Sequence, residues 1–217
     1  MDMVGASHGN IARVKELVTS RPALARAAWD WGYGDWETAL GAASHVGNKA
    51  IAQILLDNGA HPTIFSAAML GQLDVVKVFV TAVPGAQKTR GPHGITLLAH
   101  ARAGGNAEMI KYVESIGDAD VHYPTEPLEG GPALLLGTYA FGGGASDRLI
   151  VSTNTRGDLV IKREGEVDRN LFHHGNRVFN PSGAEAVRIR FEPATGPATM
   201  VVVIDGAVQV KADRVQA

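Results

Sequence analysis

The stretch Thr38-Ala-Leu-Gly-Ala-Ala-Ser-His-Val-Gly-Asn-Lys-Ala-Ile-Ala-Gln-Ile-Leu-Leu-Asp-Asn-Gly-Ala60 decides how the first half of the chain is read. Small residues up to Ala43 suit a short helix that packs close to a neighbour, and Gly47-Asn48 interrupts it. Ile51, Ala52, Ile54 and Leu55 follow at four, five, seven and eight residues after the glycine, the spacing of one buried stripe on a second helix. Gly59 stops that helix. The pattern returns around Gly9-Asn10, Gly71-Gln72 and Gly105-Asn106. Gly5, Ala67 and Ala101 stand four residues before those glycines; Val14/Leu17, Val76/Phe79 and Ile110/Val113 stand five and eight after them. Pro22, Pro84 and Gly117 end the remaining second helices. Four helix–turn–helix units are expected over about residues 3–120, each burying its apolar face against a neighbour.

These units resemble the ankyrin repeat. Thr38-Ala-Leu-Gly-Ala-Ala43 and Thr96-Leu-Leu-Ala-His-Ala101 stand where that family has Thr-Pro-Leu-His-x-Ala, and Leu55-Leu-Asp-Asn-Gly-Ala60 matches the family's repeat ending. The resemblance implies a short repeat array acting as a recognition scaffold. It departs from the family in spacing, since the glycines lie 38, 24 and 34 residues apart against a norm of about 33. The first unit begins in mid-helix, so a leader or half-repeat is expected to have stood before Met1.

From residue 134 the texture changes to short alternating runs: Gly137–Phe141, Arg148–Thr153, Asp158–Arg163, Arg177–Asn180, Val187–Phe191, Met200–Ile204 and Val208–Arg214. Gly, Asn, Pro and Asp clusters separate them, which predicts antiparallel strands joined by tight turns. The second half is similar to the lipocalin-like β modules appended to some serine hydrolases, a resemblance that implies no catalytic residue here. The expected organisation is α+β multidomain: an ankyrin-type array over 1–122, a Pro/Gly-rich link over 123–133, and a small antiparallel β barrel or strongly curved sheet over 134–217.

Composition narrows the function classes. Hydrophobic residues make up 45% and charged residues 19% of 217, so wholesale disorder is excluded. A net charge of −2 argues against nucleic acid as partner. No apolar run approaches the ~18 residues of a membrane span. The absence of cysteine excludes disulfides, thiolate zinc sites and cysteine nucleophiles. Localisation is left open: cytoplasmic by default, exported if a leader has been removed.

Ala28-Trp-Asp-Trp-Gly-Tyr-Gly-Asp-Trp-Glu37 gathers all three tryptophans within eight residues. Trp29, Trp31, Tyr33 and Trp36 supply aromatic surface, and Asp30, Asp35 and Glu37 supply carboxylates, the vocabulary of interfaces and ligand pockets. A local mini-core holding the loop is the alternative. Arg90 and His93, in Arg90-Gly-Pro-His-Gly94, occupy a second finger, where the histidine serves acid–base chemistry or simply closes its turn. His45, His100 and Arg102 fall on first helices that would line a concave face, whereas His8 and His61 at unit ends read as structural. A notch is predicted between the two fingers, floored by His45 and the Ala67/Ala68 helix. No two histidines have metal-ligand spacing beside a carboxylate, and no dinucleotide glycine fingerprint occurs, so neither metal nor organic cofactor is expected. His173 and His174, adjacent in a strand-like segment, are expected to point to opposite faces.

Two functions remain open, with a third behind them. The leading one is a binding module whose aromatic finger and concave face hold a protein segment or a small apolar or aromatic molecule. The second is a cofactor-free lyase, isomerase or hydrolase using His93, His45 or His100 with Asp35 or Glu37. The third is a hydrophobic-ligand carrier using the β module. The sequence leaves the oligomeric state open.

Overall fold

The computed structural model describes residues 1–215, and these divide into two compact units. The first comprises 1–30 and 36–122; the second comprises 31–35 and, among the described residues, 123–215.

The first unit holds eight helices among the described residues, in four antiparallel pairs: α1 (Asp2–Ala6) with α2 (Ile11–Ser20), α3 (Ala39–His45) with α4 (Lys49–Asp57), α5 (Ile64–Leu70) with α6 (Leu73–Ala82), and α7 (Leu97–Gly104) with α8 (Ala107–Ser115). The Gly-Asn anchors work as read. Gly47 takes φ 73°, which costs glycine nothing. Asn48 then caps α4 by accepting from Ile51 N at 3.1 Å, as Asn10 and Asn106 cap α2 and α8. The short first helices pack side by side, α1 on α3, α3 on α5 and α5 on α7. Their contact is close enough that a Cβ on Gly104 would fall 1.9 Å from the Met69 carbonyl oxygen. Leu40, Ile51, Leu55, Met69, Leu97 and Met109 are fully buried in this unit.

The ankyrin-type repeat array is not what the structure shows, and that expectation is corrected. The helices run from five to ten residues, and the three links differ in kind. The first is a two-stranded ribbon, β1 (Ala28–Asp30) with β2 (Trp36–Thr38); the second, residues 58–63, carries no strand; the third contains 3-10 turns and one isolated bridge, Arg90–Thr96. The apolar spacing marks the buried face of α4 and α8 but fails on α6, where Val76 is buried and Phe79, expected in the same stripe, is 41% exposed. It does not specify a copied link, and no copied link is seen.

The second unit is a closed eight-stranded antiparallel barrel, so the fold class is α+β. Its strands are β3 (Gly137–Ala140), β4 (Arg148–Thr153), β5 (Leu159–Arg163), β6 (Arg169–His173), β7 (Val178–Pro181), β8 (Arg188–Glu192), β9 (Met200–Asp205) and β10 (Val208–Arg214). Each pairs with the next, and β10 closes on β3 through Asp213–Ala140 and Arg214–Tyr139. Tyr139, Ile161, Phe179, Ile189 and Phe191 are among the residues of its apolar core. The alternating runs in the sequence omit β6, because Arg169 and His173 occupy two of its three buried positions and hide the apolar alternation.

Residues 31–35 belong to this second unit. Arg169, 4% exposed, pairs with Asp35, 2% exposed, at 2.7 Å and donates to the Trp31 carbonyl at 2.8 Å. Tyr33 packs against the barrel core.

Candidate metal centre

Glu37 is the organising residue of the first unit. It lies in the middle of β2, where period-two alternation exposes Trp36 and Thr38 and buries Glu37 completely. Three histidines from three other elements close on it. His8 comes from the turn after α1, His45 is the last residue of α3, and His93 sits in the 3-10 turn Pro92–Gly94.

The distances are short. His45 Nε2 lies 2.9 Å from Glu37 Oε1, His93 Nε2 3.4 Å from the same oxygen, and His8 Nε2 3.5 Å from Oε2. His8 Nε2 and His45 Nε2 face each other at 3.2 Å. One ligand atom from each residue can be chosen so that all lie within 4.8 Å of one another. Glu37 is 0% exposed, while the side chains of His8, His45 and His93 are 31%, 13% and 23% exposed, so the cluster opens to solvent on its imidazole side.

Local structure fixes these side chains. His8 Nδ1 is 3.1 Å from the Val4 carbonyl oxygen. A carbonyl only accepts, so Nδ1 carries the proton and Nε2 presents a lone pair to the cluster, the arrangement that orients metal-binding histidines. His93 is held at φ 60°, a left-handed backbone that costs a non-glycine residue roughly 1–3 kcal/mol and is found where a site demands it. Gly41 lets this turn approach α3, because a Cβ there would meet Pro92 Cγ at 3.3 Å. Burial alone would push the Glu37 carboxyl up, but hydrogen bonds from His45 and His93, with the charge of both, bring it down to about 2. It is a buried, ionised carboxylate facing three imidazoles.

Of the candidates read from the sequence, Glu37, His45 and His93 stand together here, and the others lie elsewhere. His100 is fully buried, bonds the Thr96 carbonyl through Nδ1 at 2.8 Å and stacks on Phe65; burial lowers its pKa to about 4. Asp35 is paired with Arg169. Arg102 pairs with Glu114 and Asp120, and Arg90 donates to the Val121 carbonyl. The aromatic residues divide between the two units. In the ribbon Trp29 is opposite Glu37 and Trp36 is opposite Asp30, so the two tryptophans occupy opposite faces, and Tyr33 is partly buried against the core of the second unit. The predicted notch floor is closed as well, since Ala67 and Ala68 are core residues.

The expectation of no metal site rested on spacing along the sequence and loses its basis here. Four side chains from four separate stretches of the chain leave no local signature. His8, read as structural, is the residue that reasoning missed.

No protein-family model matches the chain, and no curated protein does. Two of the solved structures with a likeness to it are titled crystal structures of SurE. The one with D-Leu is 25% identical, with a TM-score of 0.31, over 49% of this chain and 26% of that one. The other is 20% identical, with a TM-score of 0.32, over 83% of this chain and 49% of that one. The chain thus spans between a quarter and a half of the length of these solved chains, and likenesses this slight assign neither fold nor function.

Proposed function

We propose that the first unit is a divalent transition-metal centre, with His8, Glu37, His45 and His93 as its ligands. The observation that carries the reading is the set of ligand separations, 2.9, 3.2, 3.4 and 3.5 Å. A metal bound at roughly 2.0–2.2 Å by nitrogen and oxygen in tetrahedral geometry sets its ligands about 3.3–3.5 Å apart. The short pairs here, taken over both Glu37 oxygens, are of that size, and one ligand atom from each of the four residues lies within 4.8 Å of the others, so a small contraction would close them on one ion. Three imidazoles and one carboxylate suit zinc, nickel, cobalt or iron rather than magnesium or calcium, which prefer all-oxygen sites. The ionised Glu37 offsets part of the ion's charge from below, and the exposed imidazole side leaves an approach for a small molecule. An ion so placed would act as a Lewis acid on a carbonyl or an acidic oxygen, the chemistry of hydrolases and lyases.

A metal-free reading rests on the 2.9 Å contact between His45 and Glu37, a carboxylate–imidazole pair able to orient a general base. Equilibrium dialysis separates the two. Protein stripped with chelator and reloaded should retain one equivalent of zinc, and His45→Ala should lose it at least a hundredfold more readily. Retention that is equal in the wild type and the variant would contradict the metal reading.

A further inference from the structure

The second unit carries a cavity that the metal centre does not use. It has a volume of about 580 Å³, within the range of small-molecule sites, and is lined by residues 126–130, the 173–177 turn and the 194–196 loop. Strand β6 stops at His173, so His174 already lies in the turn, and both line the cavity in spite of the alternation expected of them. His173 Nδ1 donates to the Glu126 carbonyl at 3.0 Å and Glu126 N donates back to the His173 carbonyl at 2.9 Å, which fixes this wall.

Arg177 is the unusual member. It lines the cavity, is 6% exposed, and donates from one guanidinium nitrogen to the Pro193 carbonyl at 2.8 Å. Among the described residues no carboxylate stands within ion-pair distance of it. Buried charges are ordinarily paired, because an uncompensated one pays its desolvation without return. The backbone that delivers it is strained too: Asn176 and Arg177 both lie in the left-handed region, at φ 50° and 56°. A second cavity of about 300 Å³ shares Glu126, Leu128 and His173 with the first and adds Leu159, Leu171 and Phe172, an apolar extension.

From this we infer that the barrel cavity binds a small organic carboxylate. Its head group takes the place of the missing counter-ion on Arg177, and its short apolar tail runs toward Leu159 and Phe172. Guanidinium presents paired N–H donors that match a carboxylate, which makes the selection chemical as well as electrostatic. Glu126 and Glu129 on the lining disfavour more highly charged anions.

Benzoate and its neutral isostere benzamide test this at constant ionic strength. In 1H–15N correlation spectra of the full chain, benzoate should give saturable shifts confined to residues 126–130, 173–177 and 194–196, and benzamide should bind at least tenfold more weakly. Arg177→Gln should remove that preference. Absence of saturable shifts in the wild-type protein, or equal response to the two probes, would overturn the assignment whether or not the variant folds.

Discussion

His8 and His45 turn their Nε2 atoms toward each other at 3.2 Å although 37 residues separate them. His8 Nδ1 is committed to the Val4 carbonyl, so the facing nitrogen is an acceptor, and the Glu37 carboxylate beside it is another. Acceptors gathered on one point call for a proton or a metal ion between them. This relationship is the ground for the metal reading.

His100 predicts a pH dependence of stability. Its folded pKa is lowered from 6.5 to about 4, first by burial, so it folds in its neutral form. As pH falls below 6.5 the unfolded chain takes up a proton that the folded chain refuses; stability is lost down to about pH 4 and the loss then levels off. The shift corresponds to roughly 3 kcal/mol. Urea unfolding at pH 7 and pH 4.5 should show His100→Asn, which keeps a donor for the Thr96 carbonyl, losing less stability than the wild type. An identical loss in both would show that His100 is not the group responsible.

Gly104→Ala tests the close approach of α7 to α5. Helix propensity favours alanine by about 1 kcal/mol. The Cβ would sit 1.9 Å from the Met69 carbonyl oxygen, which is backbone and cannot move aside cheaply. Overpacking of this kind costs roughly 1–3 kcal/mol or more, so the net effect is destabilising. Gly143→Ala, with nothing within 4 Å and no positive φ, should be neutral. Equal thermal midpoints for the two variants would refute the packing described.

The helix pairs and most strands were legible because each is a local pattern: apolar residues four, five, seven and eight after a glycine, or alternate residues along a strand. What was not legible depends on residues far apart. The ankyrin-like reading followed the helix faces; the unequal glycine spacings of 38, 24 and 34 residues already marked the links as dissimilar, but the conformation of each link was not legible from spacing. Strand β6 fell outside the alternating runs because Arg169 and His173 take inward positions, although its last residue, His173, was read as lying in a strand-like segment. Glu37, His45 and His93 drew notice for their chemistry. His8 gave no signal, since its role depends on a turn after α1 meeting the middle of β2.

The Asp35–Arg169 pair carries a prediction for the second unit. Both side chains are almost wholly buried, and a Cβ on Gly183 would fall 2.4 Å from Asp35 Cγ, so the carboxylate is tightly packed as well as paired. Removing one partner of such a pair costs roughly 3–5 kcal/mol. Arg169→Leu should lower stability by that order, and the double variant Asp35→Leu/Arg169→Leu should be more stable than the single one. Chemical denaturation measures both, and a single-variant cost near zero would mean that the pair is not holding residues 31–35 in place.

The most direct test of the metal centre is visible absorption during titration of the stripped protein with cobalt(II). Binding by three imidazoles and one carboxylate should give d–d bands stronger than those of the hydrated ion. These should saturate at one equivalent and be lost in Glu37→Gln and His45→Ala variants that keep the wild-type circular dichroism. A spectrum that stays that of the hydrated ion throughout the titration would contradict the account.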